Sequence, residues 1–209
     1  MAKLQVAIDL LNIDDAIALA TKVAPYIDII ELGTPLIKSE GLAGIRKMKD
    51  AFPDKLVLAD FKTADAGELE ANMAFGAGAD YVTVLGATGD STILGAVKAA
   101  KAHGKGVVVD TIGVKDRVKR AQEAIAMGAE FVELHAGLDE QAEDGYSIQV
   151  LIDEATRAGV SVSIAGGVNL SSITAVKNSG VIVAVAGAAI YGAEDPAQAA
   201  KKLQELAMA

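Results

Sequence analysis

The sequence predicts an α/β fold, a single (β/α)8 barrel of the TIM type that occupies residues 1–209. Three observations favour it. Short runs rich in Val and Ile alternate with amphipathic helical segments along the whole chain. Eight such units in 209 residues are about 26 residues each, near the small end of this fold. No linker, charge block or low-complexity segment divides the chain.

Eight apolar runs are the predicted strands: Leu4–Asp9, Ile27–Leu32, Lys55–Asp60, Asp80–Leu85, Lys105–Asp110, Glu130–His135, Ser161–Ala165 and Ile182–Ala186. The segments between and after them are the predicted helices: Asp14–Val23, Leu42–Ala51, Ala66–Phe75, Ser91–Ala100, Val114–Met127, Ile148–Ala158, Ser171–Lys177 and Pro196–Leu206. Asp90 and Asp195 are suitable N-caps, and Gly104, Gly128 and Gly159 are expected to end helices.

An open, doubly wound sheet is the alternative fold. Eight units would make such a sheet unusually wide, and no GxGxxG motif follows the first strand. The pattern therefore favours the closed barrel.

Composition excludes several classes of function. The chain has no Cys, which rules out disulfides, thiolate nucleophiles and sulfur-ligated metals. A net charge of −9 without a basic stripe argues against nucleic-acid binding. Met1 leads directly into a strand without a signal-peptide pattern, and no apolar run is long enough to span a membrane, so we expect a cytoplasmic protein. An anionic ligand would need a metal, a lysine or helix N-termini.

Ionisable side chains end several of the predicted strands. Because barrels of this type carry their active sites at the carboxyl ends of the strands, these side chains are expected to converge on one mouth. Each Asp alone could be a simple loop cap. Five converging charges cannot all be buried unpaired, so a metal ion or a lysine is expected among them. The five are Asp9, Glu31, Asp60, Asp110 and His135. Lys55 and Lys105, at the opposite ends of their strands, are expected to be exposed, solubilising charges.

The run from Asp60 to Asp65 reads DFKTAD. Alternation places Asp60 and Lys62 on the same side as the chain leaves the third strand, and Asp65 follows at the start of the next helix. A lysine flanked by carboxylates stays protonated and can donate hydrogen bonds to an anionic oxygen. The DxKxxD spacing is weak evidence alone, and its place at the barrel mouth strengthens it.

The two histidines lie in different settings. His135 ends the sixth strand at the mouth, where an imidazole can transfer protons near neutral pH. His103 lies in the last turn of a helix before Gly104, where a cation complements the helix dipole. We expect a functional His135 and a structural His103.

Small residues follow the last two strands. Gly166 and Gly167 come after the seventh, and Gly187 and Ala188 come after the eighth. Loops at these places commonly bind phosphate through backbone N–H groups, although Gly would also suit ordinary tight turns. Both loops together favour a phosphorylated substrate.

These features resemble the orotidine 5′-phosphate decarboxylase superfamily, whose signature is the DxKxxD run with phosphate loops after the seventh and eighth strands. Within it, the chain resembles the 3-hexulose-6-phosphate synthase family from end to end. The stretches that carry the resemblance include LADFKTADAGELEA, FVELHAGLDEQA, IAGGV and VAGAAIYGA.

A near neighbour, the 3-keto-L-gulonate-6-phosphate decarboxylase family, shares most of the site and is the alternative function. Four positions distinguish the two families. The decarboxylase has Glu, Arg, Thr and Arg where this chain has Asp110, Leu138, Ala165 and Ala188. The resemblance therefore implies a lyase that adds formaldehyde to D-ribulose 5-phosphate, as in the ribulose monophosphate pathway.

The resemblance also implies roles for individual residues. Glu31 and Asp60 would hold Mg²⁺ or Mn²⁺, which suits hard oxygen ligands. His135 would remove the C1 proton, and Lys62 would stabilise developing oxyanions. Asp65 would reach the active site of a neighbouring subunit, which implies a homodimer with shared sites.

The remaining implied contacts are with substrate. Asp9 would hold substrate hydroxyls, and Asp110 is also expected to bind substrate. Gly167, Gly187 and Ala188 would bind the phosphate group through the backbone.

Two further alternatives differ in class. A metal-independent pentulose-phosphate epimerase would use paired acid/base histidines and carboxylates, which are not evident in a chain with two His. A non-catalytic sugar-phosphate-binding barrel would have degraded strand ends, whereas these are intact.

Overall fold

A computed structural model describes all residues 1–209 and contains a closed barrel of eight parallel strands. Each strand pairs with the next along the chain, and β1 pairs with β8, so the open-sheet alternative is wrong and the (β/α)8 barrel is confirmed. The strands are β1 Lys3–Ile8, β2 Ile29–Leu32, β3 Leu56–Thr63, β4 Tyr81–Leu85, β5 Gly106–Asp110, β6 Phe131–His135, β7 Val162–Ala165 and β8 Val183–Ala186.

Ten α-helices surround the barrel. They are α1 Ile13–Val23, α2 Thr34–Ala51, α3 Gly67–Gly76, α4 Asp90–His103, α5 Arg117–Met127, α6 Leu138–Gln141, α7 Gln149–Ala158, α8 Ile173–Asn178, α9 Ala188–Tyr191 and α10 Pro196–Met208. A 3₁₀ turn, Ala24–Tyr26, follows α1. All eight predicted helices are present, whereas the short α6 and α9 were not predicted. None of the helices is long and apolar enough to cross a membrane.

Helix ends follow local chemistry. Asp195 caps α10 by accepting a hydrogen bond from the Gln198 N–H at 3.0 Å, as predicted. The prediction for Asp90 is wrong, because Gly89 precedes α4 and the Asp90 carboxylate instead pairs with Arg120 at 2.7 Å. The predicted glycine stops at residues 104, 128 and 159 are confirmed, all with left-handed backbone conformations.

Two apolar layers hold the barrel together. The larger lies between strands and helices and includes Val6, Ile30 and Leu134. The smaller fills the inside of the barrel and includes Leu58 and Phe131. Since side chains alternate along a strand, every second residue of each strand faces inward. Leu58 and Phe131 occupy inward positions, and the residues two positions further along the same strands are the charged Asp60 and Glu133.

The amino ends of the strands carry a compact ion cluster. Asp80 accepts hydrogen bonds from Lys49 Nζ at 2.8 Å, from the Val57 N–H at 2.9 Å and from Lys105. Lys55 donates to the Ile27 carbonyl at 2.7 Å. The expectation that Lys55 and Lys105 are exposed, solubilising charges is wrong, because both are half-buried and bonded.

Candidate active site

A cavity of about 940 Å³ opens at the carboxyl ends of the strands. It is where the convergent strand ends were expected to meet. Most of the predicted site residues line it: Asp9, Glu31, Asp60, Lys62, His135, Gly167, Gly187 and Ala188. Asp65 and Asp110 do not line the cavity, and each has a separate explanation.

The end of β3 has an unusual backbone. Lys62 and Ala66 have φ values of 47° and 53°, and no other non-glycine residue has a positive φ. The pairing of β3 with β4 shifts register between Ala59 and Thr63. Such conformations cost on the order of 1–3 kcal/mol each and occur mainly at functional sites. The DxKxxD run is therefore held in a shape that an ordinary strand end would not adopt.

Lys62 lies between two carboxylates. Its Nζ is 2.7 Å from Asp60 Oδ2 and 2.8 Å from Asp110 Oδ2. Burial alone would lower the pKa of Lys62, but Asp60 and Asp110 outweigh burial and raise it above the usual value. Lys62 is thus a permanent cation in the cavity wall.

Asp110 lies behind the cavity wall and is fully buried. Its Oδ1 accepts the Ile112 N–H at 2.8 Å, and its Oδ2 is 2.9 Å from His135 Nδ1. Burial would raise the pKa of Asp110, but His135 and Lys62 outweigh burial and lower it. The structure therefore differs from the expected substrate contact, since Asp110 supports Lys62 and His135 from behind.

Glu31 has carboxylate neighbours and no cation in direct contact. Gln5 Nε2 donates to its Oε2 at 2.7 Å, and its Oε1 makes no hydrogen bond. Burial, and then the charge of Asp60, raise the pKa of Glu31 to about 8. The same two causes raise the pKa of Asp9. A site in which carboxylates repel one another around a cavity is suited to a hard divalent cation.

Asp60 is the most fully bonded of these carboxylates. Its Oδ1 accepts the Thr83 hydroxyl at 2.7 Å, and its Oδ2 accepts the Thr34 hydroxyl at 2.6 Å as well as Lys62. Two threonines and a lysine therefore fix its orientation. Together with Glu31, it offers the oxygen donors that Mg²⁺ or Mn²⁺ prefers.

Glu133 was missed by the sequence analysis. It is buried on β6, it lines the cavity, and its Oε1 is 3.5 Å from His135 Nδ1. Its Oε2 has no hydrogen-bond partner. Burial, followed by the charges of Glu31 and Asp110, raises the pKa of Glu133 well above its ordinary value. Strand alternation could have found it, because Glu133 precedes His135 by two residues and faces the same side.

Glu133, Asp110 and His135 could form a second cation site, because each offers one donor atom within 4.8 Å of the others. Lys62 is already paired with both Asp110 and Asp60, whereas Glu31 has no cation in contact. Glu31 is therefore the carboxylate that most needs a cation, and Asp60, whose charge helps to raise the pKa of Glu31, offers further oxygen donors for a shared metal ion.

The loops after β7 and β8 form one wall of the cavity. Gly166 and Gly167 have φ values of 112° and 80°, and a Cβ at Gly166 would overlap the Ala136 carbonyl. Glycine is therefore required at this turn. Gly187 precedes α9, and Ala188 begins it. Lys62 is the only lysine in the lining and no arginine contributes, so these backbone N–H groups are the expected donors for a phosphate, beside polar side chains such as Tyr191 and Asn169.

The loop after β6 covers part of the mouth. Its short helix α6 begins at Leu138, which is 69% exposed at the rim of the cavity. Arg117 of α5 pairs with Glu140 of α6 at 2.6 Å, and the Tyr146 hydroxyl donates to the Gly166 carbonyl at 2.9 Å. This loop is thus tied both to α5 and to the loop after β7.

Asp65 does not line the cavity of its own chain. It is exposed, and its Oδ1 accepts the Ala66 N–H at 2.7 Å. The helix that follows, α3, exposes Leu69 and Met73, which are one helical turn apart, and α4 exposes Leu94. This part of the chain therefore exposes a carboxylate and several large apolar side chains.

The Orotidine 5'-phosphate decarboxylase / HUMPS family model matches residues 2–203. The chain belongs to this family. Within the family, the chain is 63% identical over 202 residues to the 3-hexulose-6-phosphate synthase of Mycobacterium gastri, covering 97% of this chain and 98% of the relative. A crystal structure of a 3-hexulose-6-phosphate synthase, also 63% identical, superposes with a TM-score of 0.96 over 98% of this chain and 99% of that one.

A second branch of the family is more distant. The 3-keto-L-gulonate-6-phosphate decarboxylase of Vibrio cholerae is 29% identical, with a TM-score of 0.83 over 99% of this chain and 97% of that one. The two branches share the fold, and the sequence identity favours the synthase branch.

Proposed function

We propose that this protein is an aldehyde-lyase that adds formaldehyde to D-ribulose 5-phosphate to give 3-hexulose 6-phosphate. The observation that carries this proposal is the 63% identity, over 97% of the chain, to a 3-hexulose-6-phosphate synthase. The cavity also supports the proposal. Its lining contains a histidine that can act as a base, a permanent cation and carboxylates that have no cationic partner. The decarboxylase function is less well supported.

His135 is the proposed base that removes the C1 proton of ribulose 5-phosphate. Its Nδ1 faces the Asp110 carboxylate at 2.9 Å, so Nδ1 carries the hydrogen and Nε2 keeps a free lone pair. A base oriented in this way can take a proton from carbon and return it later. The resulting enediolate has a single negative charge on the C2 oxygen, and C1 keeps its hydroxyl group.

Lys62 is the proposed stabiliser of that charge. Its ammonium is fixed by Asp60 and Asp110, so it does not have to reorient when the oxyanion forms. Asp9 also lines the cavity and can accept hydrogen bonds from substrate hydroxyls. Residue 33 must be glycine for Asp9 to fit, because a Cβ at that position would overlap Asp9 Oδ1.

Glu31 and Asp60 are the proposed ligands for Mg²⁺ or Mn²⁺. When bound, the ion would supply Lewis-acid stabilisation of negative charge on the sugar oxygens. Gln5 and Thr34 hold the two carboxylates in place through hydrogen bonds of 2.7 Å and 2.6 Å.

The carbon–carbon bond forms between C1 of the enediolate and the formaldehyde carbon. The carbonyl of formaldehyde becomes an alkoxide that needs one proton, and the protonated His135 can return the proton that it took from C1. The reaction is then balanced without a further acid. Backbone N–H groups of Gly167, Gly187 and Ala188 are the proposed phosphate contacts, since the cavity wall there lacks arginine.

A coupled assay of formaldehyde consumption tests the proposal. Turnover with ribulose 5-phosphate should disappear after exhaustive EDTA treatment and return with Mg²⁺ or Mn²⁺. The same preparation is then assayed for decarboxylation of 3-keto-L-gulonate 6-phosphate. A larger kcat/KM for decarboxylation would contradict the synthase assignment, and full turnover after EDTA would contradict the metal requirement.

The homodimer with shared sites is also a proposal. The exposure of Asp65, together with the exposed Leu69 and Met73 on the helix that follows it, supports this proposal. Asp65→Ala and Asp60→Ala should each be nearly inactive, and a mixture of the two should regain activity if subunits exchange. Absence of recovery despite demonstrated exchange would place Asp65 outside any shared site. The cytoplasmic location stays a prediction.

A further inference from the structure

Thr83 lies in the middle of β4 with its hydroxyl inside the barrel, and it is buried, with 1% exposure. It does not line the cavity, so it cannot touch a bound substrate. Its hydroxyl accepts the Lys62 N–H at 2.9 Å and donates to Asp60 Oδ1 at 2.7 Å. One hydroxyl thus serves both charged residues of the cavity wall, using its single donor and one acceptor site.

The backbone explains why this hydroxyl is needed. Ala59 pairs with Val82 and Thr63 pairs with Val84, so four steps along β3 correspond to two along β4. The extra residues interrupt the ladder, and the Lys62 N–H bonds to a side chain of β4. Without this acceptor, a buried N–H would lose its partner just where φ is 47°.

The side chain of Asp60 depends on the same atom. Thr34 and Lys62 both act on Oδ2, whereas Thr83 makes the hydrogen bond to Oδ1. Loss of that bond would let the carboxylate rotate about its χ angles while it remained paired with Lys62. Both the direction of the Lys62 chain and the rotation of Asp60 would then change.

We propose that Thr83 is a positioning residue that holds the left-handed Lys62 backbone and the Asp60 carboxylate in one fixed arrangement. Its effect on turnover rests on the proposed function, whereas its effect on the backbone does not. Displacements of about 1 Å in a catalytic group can lower rates by about 100-fold.

The test compares Thr83→Val with Thr83→Ser. Valine keeps the shape but removes the hydroxyl, and serine keeps the hydroxyl. We expect Thr83→Val to lower kcat by roughly 30- to 100-fold with less than a threefold change in KM, since phosphate contacts are untouched. Thr83→Ser should stay within about threefold of the wild type. Thr63→Val is the matched control. Thr63 is also a buried threonine, at the end of β3, and its hydroxyl donates to Glu70 at 2.6 Å.

Two results would overturn the proposal. The first is a folded Thr83→Val with kcat within threefold of wild type. The second is an equal loss of kcat in Thr83→Ser or in the Thr63→Val control. If Thr83→Val does not fold, as judged by circular dichroism, Thr83→Ala is assessed by the same criteria.

A crystal structure of Thr83→Val separates this proposal from the proposed function. The expected change is that Lys62 leaves the left-handed region and Asp60 adopts another rotamer. An unchanged φ at Lys62 and an unchanged Asp60 would contradict the proposal even if the enzyme lost activity. A wild-type protein inactive with formaldehyde and ribulose 5-phosphate would contradict the proposed function and leave this structural comparison valid.

Discussion

The two ends of the barrel carry charge in opposite ways. At the amino ends of the strands, Asp80 is bonded to two lysines, Lys49 and Lys105. At the carboxyl ends, Lys62 is the only lysine among a larger group of carboxylates: Asp9, Glu31, Asp60, Asp110 and Glu133. Burial acts on the carboxyl groups at both ends, so the difference arises from the number of cations beside them.

The pKa values record this difference. Hydrogen bonds from Lys105 and Lys49 overcome burial and lower the pKa of Asp80, whereas burial and neighbouring carboxylates raise the pKa of Glu31 to about 8. A paired carboxylate stabilises the fold, and an unpaired buried one destabilises it. The amino end is therefore built for stability, and the carboxyl end gives up stability to provide a charged cavity.

The largest expected effect comes from Asp110, the carboxylate that is paired with both Lys62 and His135. Asp110→Asn should lower kcat on the order of 1,000-fold, because an amide no longer neutralises Lys62 or enforces the Nδ1–H tautomer of His135. Formaldehyde turnover and proton exchange at C1 of ribulose 5-phosphate should fall together. Asp144→Asn, at an exposed loop residue, is the control. A loss below about tenfold would contradict the supporting role of Asp110.

The next largest expected effect is a gain in stability, caused by the substitution Glu31→Gln. Because the pKa of Glu31 is raised from 4.5 to about 8, the folded protein holds a proton that the unfolded chain releases. Stability is therefore lost as pH rises from about 4.5 towards 8. Glu31→Gln removes this loss, and we expect it to raise the free energy of unfolding by about 4 kcal/mol at pH 8.

Urea unfolding in EDTA, at pH 5 and at pH 8, measures that gain. The variant and the wild type should differ little at pH 5 and most at pH 8. Glu130→Gln, at an exposed position outside the cavity, should show no such pH dependence. Equal stability of Glu31→Gln and the wild type at pH 8 would mean that Glu31 ionises in the folded protein without a loss of stability, and would contradict this prediction. Activity of the variant should be lost if Glu31 is a metal ligand.

A smaller destabilisation is expected at the amino end. Asp80→Asn should lower the free energy of unfolding by about 2 kcal/mol at pH 7, because two lysines lose their anionic partner. The lowered pKa of Asp80 gives stability that is present above the ordinary value of 3.8 and lost as pH falls through the folded value. The variant and the wild type should therefore converge in acid.

Activity distinguishes Asp80 from the carboxylates of the cavity. Turnover of Asp80→Asn at 25 °C should stay within about twofold of the wild type, since stability changes at the amino end leave the cavity intact. Asp54 is an exposed residue at the same end, and Asp54→Asn should change neither the free energy of unfolding nor turnover. A marked loss of activity in Asp80→Asn would show that the two ends are coupled.

The fold and the place of the site could be predicted from sequence for a simple reason. Period-two apolar runs and glycine helix stops are local signals, and a parallel barrel brings all strand ends to one face. Residues that end strands, such as Asp9 and His135, were therefore found. Glu133 was missed although the same alternation reaches it, because it lies two residues before the end of its strand.

Other features of the site depend on the register between neighbouring strands, which could not be predicted from the sequence. Nothing in the run from Asp60 to Asp65 indicates that Lys62 adopts a left-handed backbone or bonds to Thr83. Lys105 was taken as an exposed charge because its partner, Asp80, is 25 residues away in sequence. Asp110 was expected to bind substrate because it ends a strand, yet its carboxylate turns behind Lys62 and His135.

The smallest expected effect belongs to His103, which lies near the amino ends of the strands but outside the ion cluster of Asp80. It occupies the last turn of α4, where its Nε2 is 2.9 Å from Asn72 Oδ1 and its ring centroid is 5.6 Å from that of Phe75. Its side chain is exposed, so His103→Gln keeps a polar contact to Asn72 and loses only a weak ring contact. We expect the free energy of unfolding to change by less than about 0.5 kcal/mol and kcat to stay unchanged. Thermal unfolding and the formaldehyde assay at pH 6 and pH 8 measure both quantities. A change in the pH profile of kcat would show that His103 contributes a proton-transfer step, so that His135 would not be the only histidine that acts in the reaction.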